Sequence, residues 1–370
     1  MPHQDRDLVI QALRNPPCMR SWTPLQFDLL LRQARSSNLL GRLGALVEQH
    51  GLAAALPEGL QNHLRGAQRL LNTHREQVRR EVGHIGKALA PLDVPLVLLK
   101  GAAYVMAGLP AEQGRMFSDV DILVPRARLP EVESSLMLAG WIGTHQSAYD
   151  QRYYREWMHE LPPMVHMTRE TTLDVHHGIS PLTARWPVSS DLLLAGIVPL
   201  PDTCGTPGLS VFAPVDMVLH SMVHLLLNEE FANGLRDVSD LDLLLRHFGA
   251  EATFWPRLVQ RAAQLGLQRA LHHGLWCAAE VLLTPVPADV QQAVSGWGPA
   301  SIPAALVKAS WRRALCAPHA SVADAGTPVA LLLLTLRAHW LRMPPLMLAR
   351  HLFIKTFKLH EKRPAQATPQ

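Results

Sequence analysis

Three aspartates are the residues whose type and spacing are best suited to chemistry in this chain. Asp119 and Asp121 are separated by one residue in SDVDILVP, and Asp174 lies between two apolar residues in TTLDVH. Both segments alternate polar and apolar residues, which predicts strands whose alternate side chains share a face. If the strands are neighbours, three carboxylates converge. Carboxylate oxygens suit Mg²⁺, and such a set could hold two ions for phosphoryl transfer.

A second group of residues could bind phosphate. Lys100 and Gly101 follow the apolar run 95–99, a predicted strand, and open a predicted short helix. A glycine at this turn would let the backbone approach a phosphate, and a helix start offers free N–H groups. Lys100 and Arg115, which lies three residues before Ser118, could neutralise phosphate charge. Arg115 ends the polar segment AEQGR, which predicts that it lies on a loop.

Three further residues are weaker candidates for the same site. His176 lies two residues after Asp174, so it shares the same strand face and could contact a metal or phosphate. It could equally be a histidine at the strand edge. Arg236 and Asp240 lie near the start of an apolar helix, where they could line a nucleotide or acceptor cleft. An acidic residue there could instead only favour the helix dipole.

Two histidine motifs do not match a zinc-protease signature. His220 and His224 have helical i, i+4 spacing, but no glutamate follows the first histidine. That favours packing or a substrate-facing role over zinc catalysis. His159 and Glu160 are followed by Leu-Pro-Pro, which is incompatible with a continuing helix and therefore with the same signature.

The elements that must position these residues fall into three predicted regions. Residues 1–90 show apolar residues at helical spacing, and residues 179–370 are mostly helical with a basic tail. Residues 91–178 alternate short strands and helices. This compact α/β region includes a helix from Pro130 to Ala139 and a hairpin over 163–176.

The same residues resemble a known family. A strand ending in a glycine turn, a short helix, a D-x-D strand and a later third aspartate are typical of the nucleotidyltransferase core of the DNA polymerase β superfamily. More narrowly, LLKGAAYVMAG, R-x-x-S-D-V-D-I-L-V and L-D-V-H-H resemble the bacterial uncharacterised nucleotidyltransferase family. The resemblance covers roughly residues 95–178. It implies an α+β fold, in which a polymerase β-like core with a small mixed sheet is flanked by N-terminal and C-terminal helical regions.

The resemblance also implies a role for each candidate residue. Asp119 and Asp121 would hold two Mg²⁺ ions, with Mn²⁺ as an alternative, and Asp174 would bind one of them and help to deprotonate an acceptor hydroxyl. The residues that would bind the triphosphate are Lys100, Gly101, Arg115 and Ser118.

The expected reaction moves a nucleoside monophosphate from an NTP to a hydroxyl group and releases pyrophosphate. The acceptor would be a sugar or polysaccharide precursor, a peptide or a protein, because relatives are often encoded beside polysaccharide or natural-product biosynthesis genes.

One departure from the family's pattern favours an alternative function. Ala102 follows Gly101 where the superfamily usually has serine. A non-catalytic binding or regulatory module, such as an antitoxin-like partner, is therefore a second hypothesis.

Composition limits the remaining classes. The chain has 370 residues, of which 48% are hydrophobic and 18% charged, so it can bury a core without disulfides. Its four cysteines are far apart, and no signal peptide or bilayer-length apolar run is evident, which predicts a cytoplasmic protein. Dinucleotide, P-loop and esterase motifs are absent. The basic stretch 337–363 predicts either an anionic partner or a solvated helix face.

Overall fold

The computed structural model of the chain describes residues 3–144, 147–201, 206–298, 302–349 and 353. In these ranges, α-helices surround one mixed β-sheet, which confirms the predicted α+β class. None of the helices in this part of the chain is long and apolar enough to cross a membrane.

The basic stretch 337–363 is described only in part. Residues 350–352 and 354–363 lie outside the described residues. The anionic partner predicted for this stretch therefore stays a prediction.

Seven strands build the sheet, and their bounds are β1 Leu96–Leu98, β2 Asp119–Leu123, β3 Trp141–Gly143, β4 Met164–His166, β5 Thr172–His176, β6 Ile197–Pro199 and β7 Leu209–Phe212. Their order across the sheet is β3-β4-β5-β2-β1-β7-β6. Strand β2 runs parallel to β5 and β1 runs parallel to β7, whereas the other neighbouring pairs are antiparallel.

Fifteen α-helices lie within the described ranges, and their bounds are α1 Leu8–Arg14, α2 Pro24–Ser36, α3 Leu40–Gln49, α4 Glu58–Leu89, α5 Lys100–Met106, α6 Leu129–Leu138, α7 Ala148–Arg152, α8 Ser190–Leu194, α9 Pro214–Leu227, α10 Gly234–Phe248, α11 Phe254–Gln264, α12 Gln268–Leu282, α13 Ala288–Ser295, α14 Ile302–Ala314 and α15 Thr327–Arg342.

Local signals explain the helices that precede the sheet. Thr23 and Gln26 form a reciprocal capping box at the start of α2, and Pro24 occupies the first helical position, where no backbone N–H is needed. Helix α4 is 32 residues long and packs against α3, α5 and α6. Its buried side chains recur at helical spacing, so one face of α4 covers the core; they include Leu60, Leu64, Leu71, Val78, Val82 and Ile85.

The sheet is larger than the sequence predicted. The strands near residues 95–99 and 118–125 and the hairpin with Arg169 at its turn are confirmed. Strand β3 was not predicted, and β6 and β7 lie after residue 178, in the region that was expected to be mostly helical. All four residues of β7 are buried, so this strand lacks the polar–apolar alternation that marks a half-buried strand. The limits of the three predicted regions stay predictions, but the sheet itself extends to Phe212.

Candidate active site

The parallel pairing of β2 with β5 brings two of the predicted aspartates together. Asp121 lies directly opposite Asp174, while Asp119 lies opposite Thr172. The apolar side chains that alternate with them are buried on the other side of the strands. The condition for convergence, that the two strands are neighbours, is therefore met, and the alternation places the carboxylates on one face.

Asp121 is the most enclosed of the three aspartates on β2 and β5. Its side chain is 4% exposed, and Oδ1 accepts a hydrogen bond of 2.7 Å from Nζ of Lys100. Nε2 of His176 lies 2.9 Å from the same oxygen. Lys100 and His176, both predicted from sequence as site residues, thus lie beside Asp121.

The charges around Asp121 oppose the effect of its burial. Burial by itself would raise the pKa of this carboxyl, but the Lys100 ammonium and the His176 hydrogen bond lower it well below its usual range. Burial would likewise lower the pKa of His176, yet Asp121 and Glu160 raise it. Asp121 is therefore held as a carboxylate, and the neighbouring carboxylates favour protonation of His176 against the effect of its burial.

The pKa of Asp174 is shifted in the opposite direction from that of Asp121. Burial and the nearby charge of Asp121 raise the pKa of its carboxyl to about 7. Its Oδ1 is buried and accepts no hydrogen bond from the described residues. A carboxylate with this pKa is suited to accept a proton near neutral pH.

The turn between β1 and α5 presents Lys100 in an unusual backbone conformation. Its φ angle is +46°, in the left-handed region that side-chain-bearing residues rarely adopt. This conformation costs about 1–2 kcal/mol. The ion pair with Asp121 is one contact that offsets this cost.

Gly101 has a packing role that the sequence did not reveal. A Cβ atom at this position would overlap the guanidinium of Arg115 and the ring of Phe117. The space beside the glycine is thus filled by protein side chains. The contact predicted between its backbone and a phosphate stays a prediction.

The sequence predicted that Arg115 lies on a loop, but the residue is not open to solvent. Its side chain is buried, and Nε donates a 2.5 Å hydrogen bond to Oδ2 of Asp240. The other oxygen of Asp240 lies 2.8 Å from Arg42. This triad joins α3, the segment before β2 and α10. Neither Arg115 nor Asp240 is among the residues that line the cavity described below, and the binding roles predicted for them stay predictions.

Three other predicted residues also lie outside the Asp121 cluster. Ser118 is exposed at the start of β2. Arg236 donates to its neighbour Asp237, 2.9 Å away. The half-buried Asp119 faces the same way as Asp121, but its carboxylate does not belong to the metal-competent groups found among the described residues. The roles predicted for these three residues stay predictions.

A cavity of about 380 Å³ is lined by Asp174 and by Lys100 and His176, the two partners of Asp121. Its volume is within the range of small-molecule sites. The cavity is lined by the β1–α5 turn, the segment before β4, strand β5, helix α9 with the residues that follow it, and the end of α15. The polar lining residues are Lys100, His159, Glu160, Asp174, His176, His220, His224, Asn228, Glu230 and Arg342.

Seven of these residues were not among the predicted site residues, and His159, Glu160, His220 and His224 are four of them. His220 and His224 are recognisable from their i, i+4 spacing on α9, and the cavity agrees with the substrate-facing role considered for them. His159 and Glu160 had no clear sequence signal. They reach the site because the backbone next to them pairs with β5, which depends on the folded sheet.

The donors at the cavity fit a divalent cation. Carboxylate or imidazole atoms of Asp121, Asp174 and His176 all lie within 4.8 Å of one another. The unpartnered Oδ1 of Asp174 is an acceptor that a cation would satisfy. The oxygen atoms suit Mg²⁺ or Mn²⁺. Lys100 occupies one oxygen of Asp121 and supplies positive charge there.

Comparison with known proteins agrees with this geometry. A family model described as "Uncharacterised nucleotidyltransferase" matches residues 23–282, which is more than half of the chain. The match includes the whole sheet and every residue of the Asp121 cluster. No curated protein matches the chain. The chain belongs to the uncharacterised nucleotidyltransferase family and is therefore a transferase of phosphorus-containing groups.

Proposed function

We propose that the protein transfers a nucleoside monophosphate from an NTP to an acceptor hydroxyl in a Mg²⁺-dependent reaction. The observation that carries the proposal is the juxtaposition of Asp121 and Asp174 across parallel strands, beside a cavity of about 380 Å³. Family membership supports the transfer of a nucleotidyl group. The acceptor class that we propose is a sugar or polysaccharide precursor, a peptide or a protein, and we place the reaction in the cytoplasm.

Asp121 and Asp174 would hold the ions, with Asp119 as the further carboxylate on the same face. Bound Mg²⁺, or Mn²⁺ in its place, neutralises triphosphate charge and helps to align the reacting groups. Lys100 contributes a further positive charge from the β1–α5 turn. Much of the catalytic effect would come from this charge stabilisation and from positioning.

Asp174 is the proposed proton acceptor. The acceptor oxygen forms a bond to the α-phosphorus while the bond from that phosphorus to the bridging β-phosphate oxygen breaks. Pyrophosphate leaves, and the hydroxyl proton moves to a carboxylate oxygen of Asp174. A pKa of about 7 for this carboxyl suits that role near neutral pH.

A non-catalytic binding module is the second candidate. Ala102 lacks the hydroxyl that the superfamily usually places after the glycine, and Lys100 already neutralises Asp121 without a metal. Both observations favour a site that keeps the fold but has weak or no triphosphate binding. The two hypotheses differ in whether a nucleotide stabilises the protein only when a divalent ion is present.

The first experiment is a thermal shift assay with each of the four NTPs, with and without Mg²⁺. A ligand at about 100 times its Kd stabilises the folded state by roughly 2.7 kcal/mol, which is roughly 3 °C for a chain of this size. We expect a Mg²⁺-dependent shift that is lost in Asp119→Asn and Asp174→Asn. The exposed Asp191→Asn is the matched control and keeps the shift.

Pyrophosphate release with candidate acceptors then tests the transfer itself. Release that depends on acceptor, Mg²⁺ and Asp174 supports the enzyme. The absence of a shift with every nucleotide would favour the non-catalytic module.

A further inference from the structure

A second set of metal ligands lies on the far side of the His176 ring. Ligand atoms of His159, Glu160 and His176 all lie within 4.8 Å of one another. Nδ1 of His176 is 3.2 Å from Oε2 of Glu160, whereas Nε2 of the same ring is 2.9 Å from Asp121. The imidazole of His176 therefore separates this set from the carboxylates of the proposed catalytic site.

The backbone holds this second set in place. The amide of Leu161 donates to the carbonyl of Val175 over 2.8 Å, and the amide of His177 donates to the carbonyl of His159 over 2.8 Å. These bonds fasten the segment before β4 to the end of β5. The positions of His159 and Glu160 are thus set by the sheet, and their side chains remain available to a ligand.

Two imidazole nitrogens in the set have no hydrogen-bond partner in the described part of the chain. They are Nδ1 of His159 and Nδ1 of His176, and both atoms are buried. The His176 side chain is only 2% exposed, and its contact with Glu160 lacks hydrogen-bonding geometry. A buried polar atom without a partner destabilises the folded state. A bound cation would remove this destabilisation at both rings.

We propose that His159, Glu160 and His176 bind a transition-metal ion of the Zn²⁺ class. Two imidazoles and one carboxylate suit Zn²⁺ better than Mg²⁺, which prefers oxygen ligands. Three protein ligands leave a fourth position, and all three residues line the cavity, where water or a ligand would occupy it. This site does not depend on nucleotidyl transfer.

The hydrogen bond of His176 to Asp121 strengthens the assignment. A neutral imidazole that binds a metal through Nδ1 carries its hydrogen on Nε2. That hydrogen points to Oδ1 of Asp121, 2.9 Å away. Metal-bound histidines commonly donate their other N–H to a carboxylate in this way, which fixes the tautomer and the ring orientation. Asp121 thus accepts the hydrogen bond that orients His176, one of the proposed ligands.

The test is a calorimetric Zn²⁺ titration of tag-free full-length protein that has been stripped of metal with a chelator. We expect one Zn²⁺ per chain, with affinity at least tenfold weaker in His159→Ala and in Glu160→Gln. The exposed His50→Ala is the matched histidine control and keeps the affinity. Circular dichroism and thermal unfolding confirm that each variant is folded, and Glu160→Gln preserves side-chain size.

Two outcomes would overturn the assignment. One is a wild-type affinity in both His159→Ala and Glu160→Gln, and the other is an equal loss in His50→Ala. Asp174→Asn separates this proposal from the catalytic one, because it should abolish the Mg²⁺-nucleotide shift and leave one Zn²⁺ bound. If the wild-type protein binds Zn²⁺ but shows no Mg²⁺-dependent nucleotide shift, only the proposed function is refuted.

Discussion

Replacing Asp174 by asparagine should stabilise the metal-free protein at alkaline pH. The ionised carboxylate of Asp174 is buried, close to the charge of Asp121, and one of its oxygens has no hydrogen-bond donor among the described residues. Its pKa rises from an ordinary 3.8 to about 7. At about 1.36 kcal/mol per pKa unit, ionising this group in the folded state costs about 4 kcal/mol.

The pH dependence follows from the direction of this change. The folded state binds the proton more tightly than the unfolded state does. Stability is therefore greatest at low pH and is lost as the pH rises from about 3.8 to about 7. About 3 kcal/mol of the loss falls between pH 5 and pH 8. Asp174→Asn lacks this titration. The difference in free energy of unfolding between Asp174→Asn and wild type should therefore grow by about 3 kcal/mol in favour of the variant from pH 5 to pH 8.

The assay is urea denaturation of wild type and Asp174→Asn at pH 5 and pH 8, without divalent ions. The exposed Asp191→Asn serves as the control and should follow wild type at both values. Saturating Mg²⁺ at pH 8 should reduce the advantage of Asp174→Asn, because only the carboxylate gains a counter-ion. A variant that is less stable than wild type at pH 8, or a difference that does not change with pH, would refute the reasoning.

Three further variants test the packing around the site by urea denaturation at pH 7. Lys100→Met leaves the buried Asp121 without its ammonium partner and should cost about 3 kcal/mol; an unchanged midpoint would contradict the ion pair. Asp240→Asn removes the charge between two buried arginines and should cost about 3–5 kcal/mol, whereas a stable variant would show that the triad is not needed. Gly101→Ala should lower the free energy of unfolding by about 1–3 kcal/mol, because the new methyl group overlaps the neighbouring guanidinium. The control is Gly59→Ala, whose methyl group meets no atom within 4 Å, and it should be neutral or slightly stabilising.

Much of the carboxylate site could be predicted because side-chain alternation is a local property. Asp121 and Asp174 each alternate with apolar residues that the core buries, so the pattern already placed each carboxylate on the opposite face. The histidine two residues after Asp174 shares its face for the same reason, and it contacts Asp121. Lys100 was predicted as a phosphate ligand, and the structure adds its ion pair with Asp121.

Arg115 shows where local reasoning fails. It was predicted to neutralise phosphate charge from a loop, a role that stays a prediction, and its guanidinium pairs with Asp240, which lies 125 residues further along the chain. Nothing in the sequence near Arg115 indicates that partner, because the contact exists only when α10 packs beside the segment before β2. The same holds for β7, whose buried residues pair with β1 across more than a hundred residues.

The sequence by itself determined the strands that carry the aspartates and the face that Asp121, Asp174 and His176 share, since strand periodicity depends on neighbours along the chain. Only the tertiary structure decided that β2 and β5 are parallel neighbours with Asp121 opposite Asp174. It also brought Glu160 to His176, through an isolated bridge to the end of β5. Strand order, register and buried ion pairs depend on which distant surfaces pack together, and that packing depends on the whole core at once.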